Sequence, residues 1–136
     1  MSRKRTPAVP APTPAELEIL RVLWRRGPST VREVHETLDK ARGSRSVGYT
    51  TVLKLMQIMA EKGLALRDES SRTHVYSAAA AEEATKQRLV SDLVDRAFEG
   101  SAMGLVMHAL ATRPATPQEL EQIRALLREH ASGEKK

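Results

Sequence analysis

The pattern Thr-x-x-Glu occurs three times in this chain, beginning at Thr13, Thr30 and Thr116. In such a capping box the threonine side chain accepts a hydrogen bond from the backbone N–H of the glutamate, and the glutamate side chain accepts one from the threonine N–H. Apolar residues spaced three and four apart follow each copy, as on one face of an α-helix. The pattern therefore indicates where three helices begin and predicts a mainly α fold.

A further helix and a β-hairpin are predicted between the second and the third of these helices. The helix covers about residues 49–62, and Gly63 suits its C-terminal end. Two extended runs, 64–67 and 74–78, flank a polar segment that is prone to turns. Three helices followed by a hairpin is the order of a winged helix-turn-helix, whose third helix enters the major groove of DNA. The apolar stripe of this third helix consists of Val52, Leu55, Met56 and Met59.

The remaining sequence returns to a helical pattern from about residue 79, with a break at Gly100. We expect three helices here, the last of which begins at the third capping box. The predicted organisation is a disordered basic arm over residues 1–12, a winged-helix DNA-binding domain over 13–78 and a helical dimerisation region over 79–136. The fold class is thus mainly α with a small β-hairpin.

Charge is distributed unevenly along the chain. Residues 1–78 contain 14 basic and 8 acidic side chains, whereas residues 79–136 contain 8 and 9. A basic excess attracts polyanions, so the first part favours double-stranded DNA as a partner, although a solvated surface could carry the same excess. The near-neutral second part carries broad apolar stripes, which indicate a homodimer interface unless these helices pack only on their own winged domain.

The third helix presents a polar face that suits DNA. Thr50 and Thr51 at its start can donate to a phosphate or contact a thymine methyl group. Arg67 on the first strand and Arg72 at the hairpin tip are expected to hold the DNA backbone or the minor groove. Tyr49 stacks on a sugar, orients the helix start or merely packs. The predicted DNA-binding residues are Tyr49, Thr50, Thr51, Lys54, Gln57, Arg67 and Arg72.

The run Gly48–Leu53, followed by Glu61–Leu64, resembles the recognition-helix signature of the penicillinase and methicillin-resistance repressors, the BlaI/MecI/CopY-like family. This resemblance implies an antibiotic-resistance repressor that binds the half-sites of a near-palindromic operator as a homodimer. The resemblance extends over roughly residues 13–130. Residues 16–20 and 23–24 match the family's first helix, 72–76 match its wing, and 104–107 match its C-terminal part.

The resemblance also implies how dimers form and how repression ends. The C-terminal helices form the dimer interface in this family, and in its penicillinase-type members a membrane sensor's signal leads to proteolytic cleavage within the short C-terminal helix. The matching bond here is His108-Ala109, where the familiar pair is Asn-Phe. The copper-responsive mode of the family uses a Cys-rich tail and is excluded, because this chain has no Cys. The candidate interface residues are Leu93, Val94, Phe98, Val106, Leu110, Ile123 and Leu127.

Several other kinds of protein are disfavoured by what the sequence lacks. Without cysteine there are no disulfides, thiolate nucleophiles or Cys-based metal sites, and the four histidines fall on separate elements without ligand spacing. No nucleophile–base set or phosphate-binding loop stands out, so neither an enzyme nor a cofactor is expected. No apolar run reaches the roughly 18 residues of a membrane span and no secretory signal is recognisable, so we expect a cytoplasmic protein. Two alternatives stay open, namely a winged-helix protein–protein interaction module and a small-molecule-responsive regulator.

Overall fold

A computed structural model describes residues 9–43 and 47–133 of the chain. The described residues up to Leu89 form one compact unit, and those from Val90 onward form a second. The prediction of a mainly α fold with a small hairpin is confirmed. The helices and strands are α1 (Pro14–Arg26), α2 (Val31–Arg42), α3 (Tyr49–Lys62), β1 (Ala65–Asp68), β2 (Val75–Ala78), α4 (Glu82–Ala97), α5 (Ala102–Thr112) and α6 (Pro117–Gly133).

Capping boxes hold the starts of α1, α2 and α6, as the sequence predicts. The Glu16 backbone N–H donates to Thr13 Oγ1 at 3.2 Å, and the Thr13 N–H donates to Glu16 Oε1 at 2.9 Å. The same pair of bonds is present at Thr30 and at Thr116, with lengths of 2.9 to 3.1 Å. Each box satisfies backbone N–H groups that lack a partner within the helix, which is worth about 1 kcal/mol.

The core of the first unit lies between α1, α2, α3 and the hairpin. Val52, Met56 and Met59, three of the four predicted stripe residues of α3, are completely buried, whereas Leu55 is only partly buried. This burial sets the rotation of α3, so that its opposite face points into solvent. The buried apolar side chains are Ile19, Leu20, Val22, Leu23, Val31, Val34, Leu38, Val52, Met56, Met59, Leu64, Ala65 and Tyr76.

The hairpin pairs β1 with β2 in antiparallel register, with Ala65 opposite Ala78 and Arg67 opposite Tyr76. Each strand begins one residue later than the sequence predicts. Ser29, in the loop between α1 and α2, makes two backbone hydrogen bonds with Tyr76, of 2.9 and 2.8 Å. The hairpin, called the wing below, is therefore attached to the helices through backbone hydrogen bonds as well as through the core.

The end of α3 is closed by Gly63, whose φ of 91° and ψ of 9° lie in the left-handed region. Glycine adopts this conformation without the steric cost that a side chain brings. Val9 packs beside it, since a Cβ placed on Gly63 would lie 3.4 Å from Val9 Cγ2. Residues 1–8 of the predicted disordered arm lie outside the described residues, whereas Val9 is partly buried against the core.

The helix that follows the hairpin, α4, begins at Glu82, three residues later than the sequence pattern suggests. Ala79 and Ala80 lie before the helix and make hydrogen bonds with other residues of the first unit. The Ala79 N–H donates to the Leu64 carbonyl at 3.0 Å, and the Trp24 indole N–H donates to the Ala80 carbonyl at 2.9 Å. No helix in the described part of the chain is long and apolar enough to cross a bilayer.

Candidate DNA-binding surface

The outward face of α3 carries polar side chains at helical spacing. Thr50, Lys54 and Gln57 follow one another at intervals of four and three residues, so they share one face, and all three are exposed. Lys54 makes no hydrogen bond or ion pair with another described residue. Its ammonium group is therefore free to reach a base edge or a phosphate.

The N-terminus of α3 differs from those of α1 and α2. Gly48 occupies its N-cap position, and no described side chain accepts a hydrogen bond from the first turn. The first turn also contains no acidic residue, whereas α1 and α2 each carry a glutamate there. The backbone N–H groups near Thr50 and Thr51 thus point into solvent with the positive end of the helix dipole, which is an arrangement that attracts phosphate.

The start of α3 is held by His35, one of the four histidines that lack the spacing of metal ligands. His35 Nε2 lies 3.1 Å from the Val47 carbonyl oxygen, just before α3. The His35 and Tyr49 rings meet edge to face, with centroids 5.9 Å apart. Tyr49 is nevertheless 45% exposed, so it packs on one side and presents its other side to solvent.

The two predicted wing arginines have different surroundings. Arg67 Nε lies 2.7 Å from Glu69 Oε2. A hydrogen bond with the Tyr76 side chain and the charge of Glu69 raise the pKa of Arg67. Arg72 lies in the exposed turn between the strands and has no partner among the described residues. The guanidinium group of Arg72 is therefore unengaged among the described residues, whereas that of Arg67 is occupied by Glu69.

The turn that carries Arg72 is shaped by its own side chains. The Ser70 N–H donates to Asp68 Oδ1 at 2.9 Å, which lowers the pKa of Asp68. The Ser71 hydroxyl donates to the Thr73 carbonyl at 3.0 Å. These local bonds engage the Asp68 carboxylate and the Ser71 hydroxyl within the turn itself.

A buried ion pair ties α1 to the end of α3. Lys62 Nζ lies 3.1 and 2.8 Å from the two carboxylate oxygens of Glu16, which is only 2% exposed. Burial raises the pKa of Glu16, but hydrogen bonds from Lys62 and from the Thr13 N–H outweigh it, so the pKa lies below its usual value. Sequence reasoning identified Glu16 as a cap and missed this second role.

The second unit has an unusual surface, since none of the described residues 90–132 is buried. Leu93, Val106 and Leu127, three of the predicted interface residues, are 47%, 48% and 63% exposed. Exposed apolar side chains mark an interaction surface where they form a contiguous patch. The other predicted interface residues, which are partly buried, are Val94, Phe98, Leu110 and Ile123. Exposed apolar residues that were not predicted are Val90, Met103, Met107, Leu120 and Leu126.

The bond suggested for cleavage lies inside α5. His108 and Ala109 are both exposed. The His108 ring lies beside that of Phe98, with centroids 5.2 Å apart, and its Nδ1 lies 3.3 Å from the Gly104 carbonyl oxygen. The bond is thus accessible to solvent but held in helical geometry.

A three-helix core, a hairpin wing and a third helix with an outward polar face and an open N-terminus define a winged-helix DNA-binding regulator. The amino-acid sequence assigns the protein to one family of such regulators. The chain belongs to the penicillinase repressor family, whose sequence model matches residues 12–129. The resemblance drawn from Gly48–Leu53 and its companion motifs is therefore confirmed.

Sequence similarity to a known regulator agrees with this assignment. The chain is 31% identical over 120 residues to Transcriptional regulator BlaI of Mycobacterium tuberculosis, in strains CDC 1551 / Oshkosh and ATCC 25618 / H37Rv, with 87% of this chain and 83% of that protein covered. The solution structure of the DNA-binding domain of the repressor BlaI is 24% identical, with a TM-score of 0.47 over 55% of this chain and 88% of that one. The complex structure of hsRosR-S4 shares the fold at 16% identity, with a TM-score of 0.50 over 89% of this chain and 90% of that one.

Proposed function

We propose that this protein represses transcription by binding a near-palindromic operator as a homodimer, with α3 of each protomer in the major groove of one half-site. The observation that carries the proposal is a helix N-terminus to which no described side chain bonds, on the same helix as exposed Thr50, Lys54 and Gln57. A helix that is fixed on a packed core and polar on its outer face is suited to reading bases. Membership of the penicillinase repressor family supports the same activity.

The exposed residues divide into two roles on chemical grounds. Lys54 and Gln57 have the length and the donors to reach base edges from the groove-facing side of α3, with Thr50 nearer the helix start. Thr51 and Tyr49 flank the open N-terminus and are suited to phosphate and sugar contacts. Arg72 supplies a backbone or minor-groove contact from the wing, and Arg67 joins it once Glu69 is displaced, which completes the predicted set.

The homodimer is supported by the exposed apolar side chains of the second unit. Full burial of a leucine or valine side chain is worth roughly 1.5–3 kcal/mol, so a few residues such as Leu93, Val106 and Leu127 would stabilise an interface substantially. A two-fold dimer presents the same surface twice, which is why its operator should be nearly palindromic. The half-sites should lie about 34–36 Å apart or a multiple of that spacing.

We further infer that cleavage of the His108–Ala109 bond by a sensor-linked protease ends repression in the cytoplasm. A protease binds its substrate extended, so α5 has to open locally. This helix has 11 residues and no buried side chain, so opening it costs little free energy. The cut separates α6, with Ile123 and Leu127, from α4 and removes part of the proposed interface.

Selection of bound sequences from a random duplex pool, with purified full-length protein, tests the proposed operator. The expected result is an enriched motif of two inverted half-sites. Neutralising about 6–10 phosphates should also make affinity fall roughly 10³–10⁵-fold between low and moderate salt. A pool without enrichment and a flat salt response would favour a protein-interaction module instead.

Mass spectrometry of the protein from cells given a cell-wall antibiotic tests the proposed release. A fragment that ends at His108 should appear as repression is lost. An intact chain accompanied by loss of repression would show that induction does not need this cut.

A further inference from the structure

A crevice of about 320 Å³ lies between α1 and α2, and its walls come from these two helices alone. Val22, Leu38 and Ala41 supply apolar floor. Val22 and Leu38 are nearly buried, at 8% exposure each, so the floor is the outer edge of the core itself. None of the residues predicted to contact DNA lines this crevice, which makes it a separate surface.

Arginines rim the crevice, and two of them lack partners. Arg26 is paired with Glu33 at 3.2 Å and also bonds to Ser29. Arg21 and Arg25, by contrast, make no hydrogen bond or ion pair with any other described residue, and both are exposed. They lie one helical turn apart, where like charges repel each other.

The acidic residue in the crevice wall does not offset these arginines. Glu18 is ion-paired with Arg42, which lies at the end of α2. The lining therefore has three arginines against one glutamate that is already engaged. The positive charges of Arg21 and Arg25 beside the apolar floor therefore have no acidic partner among the described residues.

We propose that this α1–α2 crevice binds an acidic, apolar segment of a partner protein. Carboxylates of the segment meet Arg21 and Arg25, whose planar guanidinium groups match a carboxylate in a two-point hydrogen bond. An apolar side chain of the same segment covers Val22, Leu38 and Ala41. A nucleic-acid backbone offers charge but no aliphatic side chain to cover this floor, so an acidic protein segment fits better. The small size of the crevice predicts weak, transient binding.

NMR titration of the ¹⁵N-labelled full chain tests the proposal. The probe is a synthetic peptide of about 12 residues with Leu at helical spacing and Glu between. Its control is the same peptide with Gln in place of Glu. The Glu peptide should shift amide signals of α1 and α2 around the crevice. Arg21→Glu combined with Arg25→Glu should weaken its binding about 2- to 30-fold, as expected for two exposed charge contacts.

Matched variants separate the crevice from the DNA surface. Arg72→Glu changes an exposed arginine on the wing and should leave peptide binding unchanged. The milder pair Arg21→Ala and Arg25→Ala should weaken the peptide while lowering affinity for a random-sequence duplex far less than Arg72→Ala does. Equal binding of the Glu and Gln peptides, or shifts confined to α3 and the wing, would overturn the proposal. So would a loss of duplex affinity as large as that of Arg72→Ala, which would assign these arginines to DNA.

Discussion

Replacing Lys62 by methionine should destabilise the first unit more than replacing Glu16 by glutamine, although both changes break the same ion pair. Lys62 Nζ lies 2.8 Å from Glu16 Oε2. The partners differ in their access to water, since the Glu16 side chain is 2% exposed and the Lys62 side chain is 29% exposed. The charge that remains after each substitution therefore lies in a different environment.

The expected magnitudes follow from that difference. Lys62→Met leaves a buried carboxylate with the capping bonds at Thr13 but no counter-ion. Breaking a buried pair in this way costs about 3–5 kcal/mol, and we expect the lower end because Lys62 is itself partly hydrated. Glu16→Gln leaves an ammonium group that water can reach and an amide oxygen that keeps the bond from the Thr13 N–H. Its cost should be about 1–2 kcal/mol, the value of the lost charge-assisted bond.

Acid should narrow the difference in stability between Lys62→Met and the wild-type protein. The pKa of Glu16 is lowered in the folded protein, so its contribution is complete above its unfolded-state pKa of about 4.3 and is lost as the pH falls through the folded-state pKa. Without Lys62, two of the interactions that lower the pKa of Glu16 are lost while burial remains, so this pKa should rise and protonation should lessen the cost of the buried charge. The difference between the wild-type protein and Lys62→Met should therefore shrink between about pH 7 and about pH 3.

Urea unfolding followed by Trp24 fluorescence measures these effects. Trp24 is the only tryptophan of the chain, and its indole N–H bonds to the Ala80 carbonyl within the first unit. Glu33→Gln is the matched control, because it alters the equivalent capping box without a buried charge. Equal losses for Lys62→Met and Glu16→Gln near neutral pH would refute the reasoning. A free energy of unfolding of Lys62→Met that stays equally far below the wild-type value in acid would refute the reasoning as well.

Four further substitutions test the DNA and dimer surfaces. Lys54→Ala should change which duplexes are selected and cost about 1–3 kcal/mol of binding free energy. Arg72→Ala should weaken the binding of all duplexes evenly. An altered half-site preference for Arg72→Ala alone would contradict these roles. Glu69→Gln should free Arg67 and tighten duplex binding roughly 2- to 5-fold, with a steeper salt dependence in the same titration. Leu93→Glu should shift sedimentation from dimer to monomer, and an undiminished dimer would count against the proposed interface.

The helices of this protein were predictable because their signals are local. A capping box such as Thr13 with Glu16 spans four residues, and the buried stripe around Met56 repeats within one helix. The contact of Glu16 with Lys62 joins residues 46 positions apart, so it became visible only once α1 and α3 were packed together. The pairing of Arg67 with Glu69 was missed for another reason. Side chains two residues apart at the end of a strand pair or point away from each other according to the conformation of the turn that follows.

The helix termini show how stability and binding are separated in this chain. The helices that form the scaffold satisfy their own first turns, with Glu16 on α1 and Glu33 on α2. A side-chain cap on α3 would stabilise that helix by only a few tenths of a kcal/mol relative to glycine, and it would place a carboxylate at the proposed phosphate contact. Gly48 at the α3 N-cap has no side chain to accept from those donors, and burial of Val52 and Met56 holds the helix on the core. A Gly48→Asp variant should accordingly be more stable and bind DNA less tightly, which links the fold directly to the proposed function.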